Sequence, residues 1–269
     1  PKGAPREVPL AANDFDRWLL GKGYAVARSA FASQGWAVAE AMQDNERLRE
    51  HALTLLGKQR RTWLIGHSLG GLLVLASLEQ HPQAYDGGLS LCGVNTSADE
   101  LIARGALDPL AVFDHYFPGV LGLAPAGLAD PASPMFVDPA VIEAALVGNA
   151  ERAGGFPVGN RDSVYDGFGD DVALNAAIRR YDAVPHAQAY LREHASLSGR
   201  ALKPVVIQAN LDDPTVPAHF TRRYAEKAMA AGQDKQVLTL PPIGTGHCAF
   251  APEDVDRAFT ALVQHAESD

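Results

Sequence analysis

The chain has 269 residues, of which 47% are hydrophobic and 20% charged, with a formal net charge of −9. That apolar content fills one large α/β domain, or a core carrying an insertion, and excludes an intrinsically disordered protein. The acidic balance argues against nucleic acid or an anionic membrane as partner, since both need clustered Lys and Arg, and no run approaches the ~18 apolar residues of a membrane span.

Short β-branched runs alternate with helical patterns, as in a parallel sheet covered by helices on both faces. Tyr24 to Phe31 reads as a first strand. Trp36 to Leu56 reads as an amphipathic helix, with Met42, Leu48, Ala52 and Leu55 as its apolar positions. Thr62 to Ile65 and Leu89 to Cys92 follow as strands, then Pro204 to Ala209 and Gln236 to Leu240. Pro217 to Ala231 and Pro252 to His265 have helical character. Between residues 95 and 200 strand patterns disappear and Pro, Gly and Ala become frequent. About a hundred residues far exceed an ordinary loop, so this stretch is expected to be an inserted helical subdomain. Its helix candidates are Pro139 to Asn149, Asp170 to Tyr181 and Val184 to His194. The expected organisation is a core of residues 1–94 and 201–269 with a cap or lid at 95–200. Apolar residues of the insertion, among them Leu107, Leu110, Tyr116, Phe117, Leu121, Leu123, Met135 and Phe136, form its own core or line an acyl or aryl pocket; the first is the more ordinary use.

The stretch Gly66-His67-Ser68-Leu69-Gly70-Gly71 lies between an apolar strand pattern and the apolar helix pattern Leu72 to Ala76. A serine at a sharp strand-to-helix turn needs small neighbours, and Gly66 and Gly70 are expected to supply that room. A serine hydroxyl is a weak nucleophile; it needs a base in reach, and the base needs a third group to orient it. Of nine histidines, His247 is the one in a strand-ending loop near the C-terminus, preceded by Gly246. Asp212 and Asp213 are adjacent candidates for the acid, in the loop after Val205 to Ala209. The other carboxylate would cap the turn or the next helix.

Two cysteines are present, Cys92 closing an apolar run and Cys248 following His247. The plain reading is two small buried hydrophobes. If both lie at one end of one sheet they can pair, and a bridge would suggest export. Neither has metal-ligand spacing.

Taken in order, Gly66-His67-Ser68-Leu69-Gly70-Gly71, Asp213-Pro214-Thr215-Val216-Pro217 and Gly246-His247 resemble the α/β-hydrolase superfamily. The resemblance covers about Tyr24 to Asn95 and Lys203 to His265, and further similarity around Gly23, Gly35-Trp36 and Leu91-Cys92-Gly93 suggests a bacterial esterase-like branch. It implies a doubly wound, mostly parallel sheet with an inserted helical cap. Asp213 is favoured as the acid because Asp-Pro-Thr-Val-Pro is similar to the segment after the acid-bearing strand in many serine hydrolases. The implied triad is Ser68, Asp213 and His247, cleaving carboxylic esters of small molecules through an acyl-enzyme, with no metal or organic cofactor. Leu69 is expected to give one oxyanion N–H. The second donor and the first strands are expected upstream of Pro1, because the chain begins at Pro1-Lys2-Gly3 without a methionine and reads as trimmed or processed. Location stays open between cytoplasm and secretion. Alternatives are a prolyl-oligopeptidase-type peptidase, an acyltransferase, and a scaffold that binds a ligand without chemistry.

Overall fold

The computed structural model describes residues 11–33, 35–57, 61–118 and 153–268. The chain divides into two compact units, one of Pro1–Thr96 with Leu197–Asp269 and one of Ser97–Ser196. The first contributes helices α1 (Asp14–Gly21) and α2 (Val38–Leu56), strand β1 (Trp63–His67), helix α3 (Leu69–Gln80) and strand β2 (Gly87–Leu91). The second contributes α4 (Ala98–Ile102), a π-helical turn (Ala103–Leu107), α5 (Asp108–Tyr116), α6 (Asp171–Ala177) and α7 (Pro185–His194). The first unit resumes with β3 (Val205–Gln208), α8 (Ala218–Ala230), β4 (Val237–Thr239) and α9 (Pro252–Glu267).

The four strands pair in the order β1-β2-β3-β4, all parallel. Alternation along β2 assigns its two faces. Leu89 and Leu91 pack with Val206 of β3 and with Phe259 and Leu262 of α9. Gly88 points the other way, where an added Cβ would stand 2.4 Å from Val74 and 2.8 Å from Leu78 of α3. Helices therefore cover both faces, with α2 behind α3 and α1 beside α9. This is a doubly wound α/β arrangement, as expected. Phe259 is the hub of its face: Phe15, Trp18, Tyr24 and Trp63 present to it edge-on, at centroid distances of 6.2, 6.0, 5.3 and 6.3 Å. Edge-to-face contact sets ring hydrogens against the electron-rich π face, adding to the area buried.

Several expectations need correction. Tyr24 to Phe31 forms no strand. Tyr24 and Val26 pack on the Phe259 cluster while Ala25 and Ala27 face out, so the alternation is real. A strand also needs a neighbour to share its ladder, and the segment has none among the described residues. Helix α2 begins at Val38, and its buried positions are Val38, Ala41 and Met42. Leu55, in the last turn, is exposed. Helix α1 went unpredicted, although Asn13 and Asp16 form a reciprocal capping box that is readable as Asn-x-x-Asp before Trp18-Leu19-Leu20. The buried Asp16 also pairs with Arg28. The helices from Ala98 to Tyr116 were also unpredicted, whereas α6 and α7 fall within their predicted stretches. The candidate helix Pro139 to Asn149 lies outside the described residues, as do Leu121, Leu123, Met135 and Phe136.

The elbow between β1 and α3 is a matter of space. A Cβ on Gly66 would lie 2.1 Å from the carbonyl oxygen of Gly70, so this position must be glycine. Gly70 itself has open space where a Cβ would go, contrary to expectation. The second crowded glycine is Gly71, whose Cβ would meet Ser90 Oγ at 2.4 Å and Gly93 Cα at 2.5 Å. Gly70 lends its backbone to the tight approach, while Gly71 is the residue turned toward β2.

The inserted unit has its own core of Ala111, Val112, Tyr165, Leu174 and Ile178. Leu107 and Leu110 are buried, whereas Tyr116 and Phe117 are exposed. The buried Tyr165 donates its hydroxyl to Asp108 Oδ1 (2.7 Å) and accepts from Asn160 Nδ2 (3.0 Å); Arg104 holds the other oxygen of Asp108 at 3.1 Å. Burial, then the bond to Asp108, pushes the Tyr165 phenol up to about 12. The fold thus prefers the neutral phenol. Its contribution is complete below the ordinary tyrosine value of ~10 and fades as pH climbs through about 12.

Tyr165→Phe should cost about 2 kcal/mol at pH 8 by denaturant unfolding, because it strips a hydrogen bond from a carboxylate. The gap between variant and wild type should narrow from pH 10 to 12; a gap constant over that range would contradict the assignment. Gly66→Ala should lower stability by about 2 kcal/mol or more, since backbone must move to admit the methyl; an unchanged melting temperature would show that the elbow tolerates a Cβ.

Candidate active site

Ser68 stands at the junction of β1 and α3 with φ 54° and ψ −122°, a left-handed backbone unusual for a residue with a Cβ. Hydrogen bonds hold it there. Its N–H donates to Leu91 O (3.0 Å), and its carbonyl accepts from Gly71 N (2.8 Å) and Val94 N (3.1 Å). The turn at Ser68 is therefore tied to the end of β2 as well as to its own strand. Behind it a buried polar pair, Ser90 Oγ donating to Asn95 Oδ1 at 2.6 Å, is completed by Asn95 Nδ2 donating to Thr221 O at 3.2 Å.

His247 lies in the loop after β4. Its Nε2 is 2.8 Å from Ser68 Oγ and its Nδ1 is 2.8 Å from Asp213 Oδ2. The carboxylate of Asp213 is 2% exposed, and its other oxygen accepts the N–H groups of Thr215 and Val216, both at 2.8 Å. A carboxylate held by two backbone donors and facing Nδ1 favours the proton on Nδ1. Nε2 is then left with its lone pair toward the serine hydroxyl. Asp212 is exposed and contributes only backbone among its described bonds, accepting Gly246 N at 2.8 Å and bridging to Thr245. The geometry thus brings Ser68, His247 and Asp213 together and leaves the carboxylate of Asp212 apart.

The loops that carry Asp213 and His247 are joined to each other. Leu211 N donates to Gly244 O, Ile243 N to Ala209 O and Leu240 N to Ile207 O, at 2.9, 3.1 and 2.9 Å. Two buried amides add to this: Gln208 Nε2 donates to Pro241 O (2.8 Å), and Asn210 Nδ2 donates to Ile243 O (3.0 Å) and Ala249 O (3.3 Å). Sequence reasoning missed both amides; a polar residue closing an apolar strand was the available signal.

The cysteines are joined, contrary to the plain reading of two separate hydrophobes. Cys92 and Cys248 form a disulfide with Cα atoms 5.2 Å apart. The condition that permits it holds, since one follows the last residue of β2 and the other follows His247 in the loop after β4. Cys248 Sγ stands 3.5 Å from His247 Nε2. His67, beside Ser68, has its imidazole held below the ordinary histidine range, first by partial loss of water and then by the positive charge of Arg28 and the neighbouring His247 ring. Leu69 opens α3, so its N–H belongs to the first turn of a helix, where backbone donors lack intrahelical acceptors. Among the described residues no three His, Cys, Asp or Glu are grouped to hold a metal ion, and no helix is long and apolar enough to cross a membrane.

Solved structures similar to this chain include a monoacylglycerol lipase of Paleococcus ferrophilus, at 21% identity over 93% of this chain and 88% of that one, with a TM-score of 0.46. A carboxylesterase structure from the thaumarchaeon Nitrososphaera gargenis matches at 16% identity over 95% and 86%, with a TM-score of 0.46. A puromycin-hydrolyzing peptidase of Mycobacterium tuberculosis matches at 16% identity over 84% of this chain and 25% of that one, with a TM-score of 0.43. Likeness of this degree carries no argument about substrate. No curated protein sequence matches. The model described as "Alpha/beta hydrolase family" matches residues 9–261, nearly the whole length, and the chain belongs to that family.

Proposed function

We propose that the protein is a serine hydrolase that cleaves carboxylic esters through Ser68, His247 and Asp213. One observation carries this reading: the continuous path from Ser68 Oγ to His247 Nε2 and from His247 Nδ1 to Asp213 Oδ2, with both contacts at 2.8 Å. His247 takes the hydroxyl proton as Ser68 attacks the ester carbonyl, and Asp213 stabilises the imidazolium that forms. The N–H of Leu69 faces the developing oxyanion; we assign no second donor among the described residues. His247 then returns the proton to the leaving alcohol, and the acyl-enzyme is hydrolysed by a water that the same imidazole activates. The unit Ser97–Ser196, inserted between β2 and β3 and built on its own core, is read as the cap expected from the sequence.

Turnover of p-nitrophenyl esters from acetate to palmitate tests this reading. Ser68→Ala and His247→Ala should reduce it to background. Asp213→Asn should cost about 10⁴-fold in kcat, whereas Asp212→Asn should stay within a few-fold of wild type, as exposed substitutions usually do. Equal damage from the two Asp changes would overturn the choice of acid. Ester turnover that survives Ser68→Ala would overturn the serine mechanism, and amide cleavage at rates matching ester cleavage would turn the assignment toward a peptidase.

A further inference from the structure

One sheet carries the site, with Cys92 N donating to Gln208 O at 2.8 Å where β2 meets β3. The hydrogen bonds of the loops beyond it sort the site residues into two bodies. Asp213 and His247 belong to one: the loops after β3 and β4 are laced together by backbone bonds, by Gln208 and by Asn210, as far as Gly246 N to Asp212 O. Ser68 belongs to the other, held by Leu91 O at the end of β2. The spacing that matters for chemistry, Nε2 to Oγ, crosses from one body to the other.

The disulfide crosses at the same place. Cys92 follows Leu91, whose carbonyl holds Ser68 N, and Cys248 follows His247. One end of the bridge is therefore one residue from the carbonyl that holds Ser68, and the other is one residue from His247 itself. Both cysteines have positive φ, 48° and 57°, as Ser68 does. Left-handed backbone at residues with a Cβ persists where the surroundings over-determine it, and a covalent bond supplies such a constraint. The sulfur of Cys248, 3.5 Å from Nε2, carries no proton while it is half of a cystine. It therefore offers no S–H to compete with the serine hydroxyl for the lone pair of Nε2.

We infer that the Cys92–Cys248 cystine is a positioning element for catalysis, setting the distance from His247 to Ser68 independently of the Asp213–His247 pair. This rests on the serine-hydrolase reading above. Cys92 is buried and Cys248 only half-buried, so a small dithiol reaches the bridge from the side of Cys248. Reduction converts the bridge to two thiols while the dithiol closes to a cyclic disulfide. The acid and base stay paired, but the base is free to drift from the nucleophile. A displacement of about 1 Å there costs about a hundredfold in rate.

The test compares three forms: oxidised wild type, wild type reduced with dithiothreitol, and the double variant Cys92→Ala/Cys248→Ala. Each is assayed well below its own melting temperature. The readouts are kcat and KM on a p-nitrophenyl ester and the rate at which a fluorophosphonate labels Ser68. Loss of the bridge should lower kcat and labelling together by about ten- to a hundredfold, with KM within about twofold of wild type. Closing the bridge again with diamide, which takes up the two thiol hydrogens, should restore the reduced wild type and leave the double variant unchanged. A bridge-free protein that melts at lower temperature but keeps its kcat and labelling rate would overturn the inference, leaving a cross-link that serves stability alone. Failure of both bridge-free forms to fold would overturn it in the same way. If oxidised wild type shows no Ser68-dependent turnover or labelling, the serine-hydrolase reading itself fails. Ser68-dependent reaction at equal rates in all three forms sinks only the role of the cystine.

Discussion

Everything at the site depends on the parallel ladder of β1, β2 and β3. Because the strands run the same way, their carboxyl ends fall along one edge of the sheet, and so do the loops that leave them. Ser68 leaves β1, Cys92 leaves β2, Asp213 lies beyond β3 and His247 beyond β4. No local sequence preference could assemble groups so far apart in the chain. The register does so: Gly66 pairs with Ser90 and His67 with Leu91, which sets the end of β2 against the elbow. Shifting that pairing by one residue would exchange the two faces of β2, sending Leu89 and Leu91 away from Phe259.

The same edge explains why the elbow is built of glycine and strain. A helix can begin at Leu69 only if the chain reverses within one residue, and Ser68 adopts φ 54° to do it. Gly66 is pressed under the backbone of Gly70, and Gly71 against Ser90 and Gly93. The result is a hydroxyl lifted clear of the sheet and a fresh helix N-terminus beside it. The strain is borne by the bonds to Leu91, Val94 and Gly71 and by the apolar helix α3 packed against the sheet.

How much of this was legible in the sequence follows from how local each feature is. The turn at Ser68, the loop with Asp213 and the Gly246-His247 step were legible as candidates because each is a short pattern of particular residue types beyond a strand. The choice between Asp212 and Asp213 could not be made from spacing. Adjacent residues in a loop point in different directions, and only the fold buries one carboxylate on Thr215 and Val216 and leaves the other in water. Tyr24 to Phe31 misled for a related reason: its alternation records a packed face, whereas a strand is defined by its partner. The cystine was hidden because pairing depends on where two strands end in space, and its cysteines are separated by 156 positions. Helix α1 is local and readable from Asn13 and Asp16, although its apolar run is short.

That separation has a consequence for the chain as a whole. Residues 92 to 248 form a covalent ring that contains the inserted unit and β3, with β1, β2 and α1 to α3 on one tail and α9 on the other. In the unfolded polymer, closing a ring of this size removes conformational freedom worth about 5 kcal/mol. A protease that cuts within the inserted unit opens the ring without releasing either half of the sheet. The nicked protein is a two-chain molecule still joined beside its histidine, and the cut becomes visible as separate fragments only once the thiols are freed.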